Sequence, residues 1–106
     1  MKTKVYIAGK YNDTNIIKCL ANIKLGIRAT VMAIHDGYIP FCPFLDFDPD
    51  LTRQEYQAYS MEWLYSCEEI WLLPNWNDSP GSIAEKETAE KLGIKIVYLT
   101  FGGGRV

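Results

Sequence analysis

The sequence has 106 residues, enough for one core and too few for a second, and 48% of them are hydrophobic. Eleven Lys and Arg against thirteen Asp and Glu leave a net charge of -2, which excludes bulk attraction to nucleic acid and points to a small-molecule ligand. Three cysteines, Cys19, Cys42 and Cys67, are odd in number and widely spaced, so a reducing cytoplasm is expected rather than a disulfide framework.

The opening MKTKVYIAGK has too short an apolar run for a signal peptide, and no segment approaches a membrane span. KVYIAG (4–9), β-branched and closed by glycine, predicts a strand. Asp13 is the expected cap of a long helix in which Ile16, Ile17, Leu20, Ile23, Ile27, Val31 and Ile34 recur at helical spacing, with Gly37 as its stop. YIPFCPF (38–44) is a short second strand cut by prolines. DFDPDL (46–51) opens a helix that carries Tyr56, Tyr59, Trp63 and Leu64 to about Ser66. EIWLLP (69–74) is apolar almost throughout and predicts a strand covered on both faces. A helix from Ser82 to Gly93 and a strand KIVYL (95–99) follow, and TFGGGRV is read as a flexible tail.

Strands alternating with helices through short connections imply a parallel sheet. The expected architecture is α/β: a Rossmann-like, flavodoxin-like three-layer sandwich of four or five strands with helices on both faces, one domain over 1–106. Ligands of such sheets bind beyond the carboxyl ends of the strands. Those ends are AGKYND after the first strand and PNWNDSPGS after the third, where polar and glycine residues gather.

Glu85 has two readings. SIAE (82–85) fits a capping box in which Glu85 reaches back to Ser82. On a helical wheel, however, Glu85 falls inside the stripe of Ala84, Thr88, Ala89 and Leu92, away from Lys86, Glu87, Glu90 and Lys91. A carboxylate so placed is partly desolvated near a helix N-terminus, which suits a nucleophile or general base. DSPGS can offer hydroxyls and backbone amides to an anion or sugar hydroxyl at the same helix start, or be an ordinary turn.

AGKYND carries neither GxGxxG nor GxxxxGK[ST], and Lys10 can meet a phosphate or simply be solvated. DFDPDL fails as a calcium loop, having Leu51 and Gln57 where glycine and glutamate are required. His35 has no partner at metal-ligand spacing, and Trp63, Tyr59 and Tyr56 are read as core and pocket wall.

VYIAG, with Tyr6 and Gly9, and SPGSIAE, with its Ser-x-Gly-x-x-x-Glu spacing after IWLLP, together resemble the nucleoside 2-deoxyribosyltransferase-like superfamily. That superfamily includes the 2'-deoxynucleoside 5'-phosphate N-hydrolases, and the resemblance spans nearly the whole chain. It implies that Glu85 is a covalent nucleophile toward the anomeric carbon and that Tyr6 orients it. Ser79 and Gly81 would line the sugar or its 5' end, and the loop of Gly9, Lys10 and Tyr11 would close over the ligand. The implied partner is a nucleoside or nucleoside 5'-monophosphate, with no metal or other cofactor, in a homo-oligomer. Where many relatives carry an aspartate before the third strand, this chain has Ser60, so Glu62 and Glu68 are the candidates for that role. Two functions follow: cleavage or exchange of an N-glycosidic bond, or a nucleotide-binding module that has lost turnover. In a third reading Glu85 only caps its helix in a structural subunit.

Overall fold

In the computed structural model, residues 2–43, 52–102 and 104–106 are described. Val5, Tyr6, Ile7 and Ala8 are buried on alternating sides of strand β1 (Lys4–Ala8). Helix α1 (Ile16–His35) follows, then strand β2 (Ile39–Phe41) and helix α2 (Arg53–Tyr65). Strand β3 (Glu69–Leu72), a 3-10 turn (Trp76–Asp78), helix α3 (Pro80–Leu92) and strand β4 (Lys95–Tyr98) complete the order.

The four strands form one sheet in the order β2-β1-β3-β4, every pair parallel. The register sets Tyr6 opposite Phe41 on one side and Ile70 on the other, and Leu72 opposite both Ala8 and Tyr98. The expected α/β three-layer fold with a four-stranded parallel sheet is therefore present. From β1 the chain crosses to one neighbour, β2, and then returns to the other, β3. This makes the carboxyl ends of β1 and β3 the point where the winding reverses and where open sheets of this kind bind ligands.

Each sheet face has its own core. Val5, Ile7, Trp71, Leu73 and Val97 pack against Ala29 and Ala33 of α1. On the other face Tyr6, Ala8, Ile70 and Leu72 pack with Leu64 of α2 and Ala89 of α3. The sheet face of α1 is made of small residues, Gly26, Ala29 and Ala33, which bring the helix close to a sheet bearing the fully buried Trp71. The isoleucine stripe whose spacing marks the helix faces away from the sheet: Ile16, Leu20, Ile27, Val31 and Ile34 are exposed. Apolar periodicity marks a buried face only when a partner covers it, and close packing here is achieved by small side chains instead.

Helix starts also differ from expectation. Asn15, not Asp13, caps α1, its side chain accepting from the backbone N–H of Ile17 and Lys18. Asp13 accepts from the Asn15 N–H one step earlier. α2 starts from a capping box of Thr52 and Glu55. The expected opening of that helix at 46–51, and the last residue of the expected strand 38–44, lie outside the described residues. Gly93 closes α3 in the left-handed region at φ 72°, where glycine is favoured.

The C-terminal residues fold back instead of forming a free tail. Tyr98 and Val106 exchange both backbone hydrogen bonds, Leu99 bridges Arg105 in antiparallel sense, and Thr100 N–H donates to Gly104. The Arg105 guanidinium lies 5.0 Å from the Trp71 ring and pairs with Asp36, tying this return to α1. The return covers the outer edge of β4, which an open parallel sheet leaves unpaired.

Candidate functional site

The Tyr6 side chain leaves β1 on the α2/α3 face, and its phenol O–H donates a short hydrogen bond to Glu85 Oε2. Residues 79 positions apart are joined here because α3 starts beside the carboxyl end of β3 and Tyr6 stands two residues before the end of β1. Glu85 cannot be a capping residue. α3 begins at Pro80, with Ser79 as N-cap accepting from the Ser82 N–H at 3.2 Å, so Glu85 lies beyond the first turn. Its inward direction comes from a face that shares Ala89 with the expected stripe but not Ala84 or Leu92. Ser82 and Ala89 are buried, three residues before and four after Glu85, whereas Ala84 and Leu92 are exposed.

Electrostatics at this pair follow from enclosure. Protein atoms surround the Glu85 carboxyl although its side chain keeps some contact with solvent, and this burial pushes its pKa up to about 7. The hydrogen bond from Tyr6 acts in the opposite direction by favouring the carboxylate. For Tyr6, burial first and then the charge of Glu85 and the bond to it hold the phenol well above its ordinary range, so it stays a proton donor. The buried Ser60 hydroxyl lies near enough to the phenol to oppose that shift, but without the geometry of a full hydrogen bond.

An aromatic cluster borders the pair. Phe41 is tilted against Tyr6 at 5.6 Å, stacks on Trp63 at 4.7 Å with planes 8° apart, and meets Tyr59 edge-on at 6.3 Å. Trp63 and Tyr59 also carry exposed surface, so they form the outer wall of the cluster as well as its packing.

The other residues singled out in the sequence fall on the two loops that flank the site. Lys10 ion-pairs with Asp13 at 3.5 Å and is half-buried. The Tyr11 carbonyl accepts from Asn22 Nδ2. Ser79 serves as the N-cap, and a Cβ at Gly81 would meet only ordinary contacts at 3.8 Å or more, so space does not require glycine there. Glu62 is exposed, and Glu68 accepts from the Lys4 N–H at the opposite end of the sheet, so neither stands at Tyr6 and Glu85. Among the described residues no three His, Cys, Asp or Glu gather as a metal site.

Sequence reasoning passed over Asn75. Its side chain pairs with the Lys10 backbone as a strand would, accepting from the N–H at 3.0 Å and donating to the carbonyl at 3.0 Å, and it also donates to Asn22. The two loops are thereby fastened together. The only signal for this in sequence is an asparagine in a turn, since its partner is 65 residues away. Gly9 is the close-approach point of this junction: a Cβ there would stand 2.5 Å from Leu73 Cδ1 and 2.9 Å from Asn75 Oδ1. Gly9→Ala is expected to cost about 1–3 kcal/mol by forcing the loops apart. Its urea midpoint should fall at an unchanged slope, and a midpoint equal to that of the wild type would contradict the clash.

A groove of about 170 Å³ between α1 and the C-terminal return, touching Leu25, Met32, Leu73 and Phe101, lies on the opposite sheet face. Among the described residues that line it, no titratable groups are paired, in contrast to Tyr6 and Glu85.

Comparison with known proteins agrees with the fold. A family described as "Domain of unknown function (DUF4406)" matches residues 3–98. A 2-deoxyribosyltransferase from Bacillus psychrosaccharolyticus superposes with a TM-score of 0.73 at 16% identity, covering 91% of this chain and 71% of that one. A conserved protein from Enterococcus faecalis V583 superposes with a TM-score of 0.69 at 17% identity, covering 93% of this chain and 64% of that one. No curated protein matches the sequence. The expected likeness to the 2-deoxyribosyltransferase fold is borne out, and at these identities it is a likeness of fold.

Proposed function

We propose a function for a chain that belongs to the DUF4406 family, whose description assigns none: cleavage or exchange of the N-glycosidic bond of a (deoxy)nucleoside or nucleoside 5'-monophosphate. The observation that carries it is the buried Tyr6–Glu85 hydrogen bond beside the sheet's reversal point, in a fold shared with a 2-deoxyribosyltransferase.

In the proposed reaction a Glu85 carboxylate oxygen bonds to the anomeric carbon while the carbon–nitrogen bond breaks. The electron pair leaves on the base nitrogen, which takes up a proton. Water or a second base then attacks the same carbon, the ester bond breaks, and Glu85 is restored as the carboxylate. Tyr6 keeps its proton and holds one carboxylate oxygen, leaving the other for attack. Gly9, Lys10 and Tyr11 on the loop after β1, and Ser79 and Gly81 at the start of α3, are assigned to the sugar and its 5' end. The aromatic wall of Trp63 and Tyr59 suits a planar base. No metal or other cofactor enters this scheme. One domain, a homo-oligomer and a reducing cytoplasm belong to the same proposal, the last supported by three free cysteines.

Ser60 supports a second reading. It is buried beside Tyr6 where many relatives would place a carboxylate, so the site can hold a nucleotide while turning it over poorly. The deciding experiment is chromatography for free base after incubation with a panel of nucleosides and 5'-monophosphates, with and without an acceptor base. Release or exchange that disappears in Glu85→Gln is the expected result. Calorimetric binding without release selects the binding module, and neither binding nor release removes both readings.

A further inference from the structure

We infer that the groove between α1 and the C-terminal return is a binding site for a small carboxylate with a compact apolar body, a single ring or a short branched chain. The groove lies beyond the carboxyl ends of β3 and β4, on the sheet face opposite Tyr6 and Glu85. Sheets of this kind take ligands at that edge, and Tyr6 and Glu85 use only one of its two faces. The floor of the groove is apolar. Leu73 and Leu99, the residues that follow β3 and β4, are buried together with Ala29 of α1, and Leu25 and Met32 are half-buried. Phe101, 80% exposed, borders this floor rather than standing alone on a polar surface, so the apolar surface is continuous. The groove holds about 170 Å³. A cavity of about 150 Å³ takes one benzene ring, and sites for drug-sized ligands run from roughly 300 Å³ upward, so the body of the ligand is about one ring in size.

The polar groups at the rim set the charge of the ligand. Arg28 lines the groove, and among the described residues it has no carboxylate within ion-pair distance. Asp36, just past the end of α1, is taken by Arg105. α1 itself carries Lys18, Lys24 and Arg28 and no acidic residue, and none of the described residues that line the groove is acidic. The planar guanidinium offers paired N–H donors that match a carboxylate. On the opposite wall Thr100 Oγ1 accepts from the Gly104 N–H at 2.9 Å, which leaves its own proton for an acceptor on the ligand. An apolar floor with an unpaired cation at its rim is complementary to an amphiphilic monoanion. Leu73 ties this site to the other face of the sheet. A Cβ at Gly9 would stand 2.5 Å from Leu73 Cδ1, and Asn75, two residues on, holds the Lys10 backbone. A ligand packed on Leu73 therefore bears on the Gly9 junction and reaches the loop clamp through it.

Amide NMR titration of the full chain tests this, with benzoate and isovalerate as ligands, benzamide as the uncharged counterpart and acetate as the charge without a body. Benzoate and isovalerate are expected to bind with a Kd on the order of 1 mM. They should shift Leu73, Leu99 and Thr100 and, through Leu73, Gly9 and Asn75. Benzamide and acetate should bind about tenfold more weakly, the first for want of the charge and the second for want of apolar contact. Arg28→Gln, at an exposed position, should bring benzoate down to the affinity of benzamide. Phe101→Ala, also exposed, should weaken benzoate and benzamide alike, with the circular dichroism spectrum unchanged in both variants. No saturable shift, equal binding of benzoate and acetate, benzoate binding undiminished in Arg28→Gln, or shifts centred on Tyr6 and Glu85 each overturns the inference. Free adenine binding in the groove where benzoate does not would give it to a neutral planar base instead. None of these readouts requires turnover, so the result stands apart from the proposed reaction.

Discussion

Glu85→Gln is expected to abolish base release and, in the same variant, to make the folded protein more stable at neutral and alkaline pH. The two effects have one origin. A carboxyl enclosed by protein and raised to about 7 is a group whose charged form the fold disfavours, yet the charged form is the nucleophile. Glutamine matches its shape, can accept from the Tyr6 phenol, and never ionises. Loss of the attacking oxygen should lower turnover by roughly six orders of magnitude, the scale seen when a covalent nucleophile is removed.

The sign of the stability effect follows from proton counting. Glutamate in an unfolded chain titrates near 4.5, and Glu85 in the fold near 7. Between those values the native state holds a proton that the unfolded state has released, so stability falls as pH rises through that window. The loss is about 1.4 kcal/mol per pH unit, roughly 3.4 kcal/mol over the window, and is complete a little above pH 7. Below 4.5 both states are protonated and the wild type and Glu85→Gln should coincide. Urea unfolding at a series of pH values is the measurement. Equal midpoints at alkaline pH would mean that Glu85 is not desolvated, and the argument for a tuned nucleophile would lose its physical basis.

How legible this site was in the sequence differs from residue to residue. The spacing in SPGSIAE and the strand before it pointed to Glu85 and to the turn that opens its helix. Yet the wheel set Glu85 close to Ala89 and Leu92, and of these only Ala89 is buried; the face that turns it inward is Ser82 and Ala89. Small and polar residues can line a buried face when a helix sits close to its neighbours, and hydropathy alone does not register that. The Asn75 clamp on Lys10 was invisible for another reason, since no local pattern predicts a pairing between two loops far apart in sequence.

At the level of the fold, strand and helix order was readable because each strand is short, apolar and closed by a turn residue. α1 was legible as a helix while the face it turns to the sheet was not, and the two facts share a cause. The isoleucine ridge gives the periodicity that identifies the helix, while the alanine and glycine side that meets the sheet gives almost none. The return of the chain along β4 was hidden because Thr100, Gly102 and Gly104 read as punctuation, and pairing of two or three residues leaves no periodic signal.

Tyr6→Phe is expected to move the pH dependence of base release and not only its size. Release requires the Glu85 carboxylate, so the wild-type rate should rise with pH and level off above about 7. The phenol hydrogen bond is what favours the charged form against burial, and phenylalanine fills the same space without donating it. A hydrogen bond to a charged group contributes about 1.5–3 kcal/mol, equivalent to a rise of roughly one to two units in the Glu85 pKa. At neutral pH the variant should therefore lose about 10- to 100-fold in rate from ionisation alone. Much of this should return at high pH, where Glu85 ionises even without its donor. A residual deficit of about tenfold at the plateau is expected from the lost orientation of the attacking oxygen. Stability should diverge in the same direction: little change while Glu85 is protonated, and a growing penalty as it ionises without its donor. A lower plateau with an unmoved limb would separate the two roles, leaving Tyr6 to orient Glu85 while something else sets its charge.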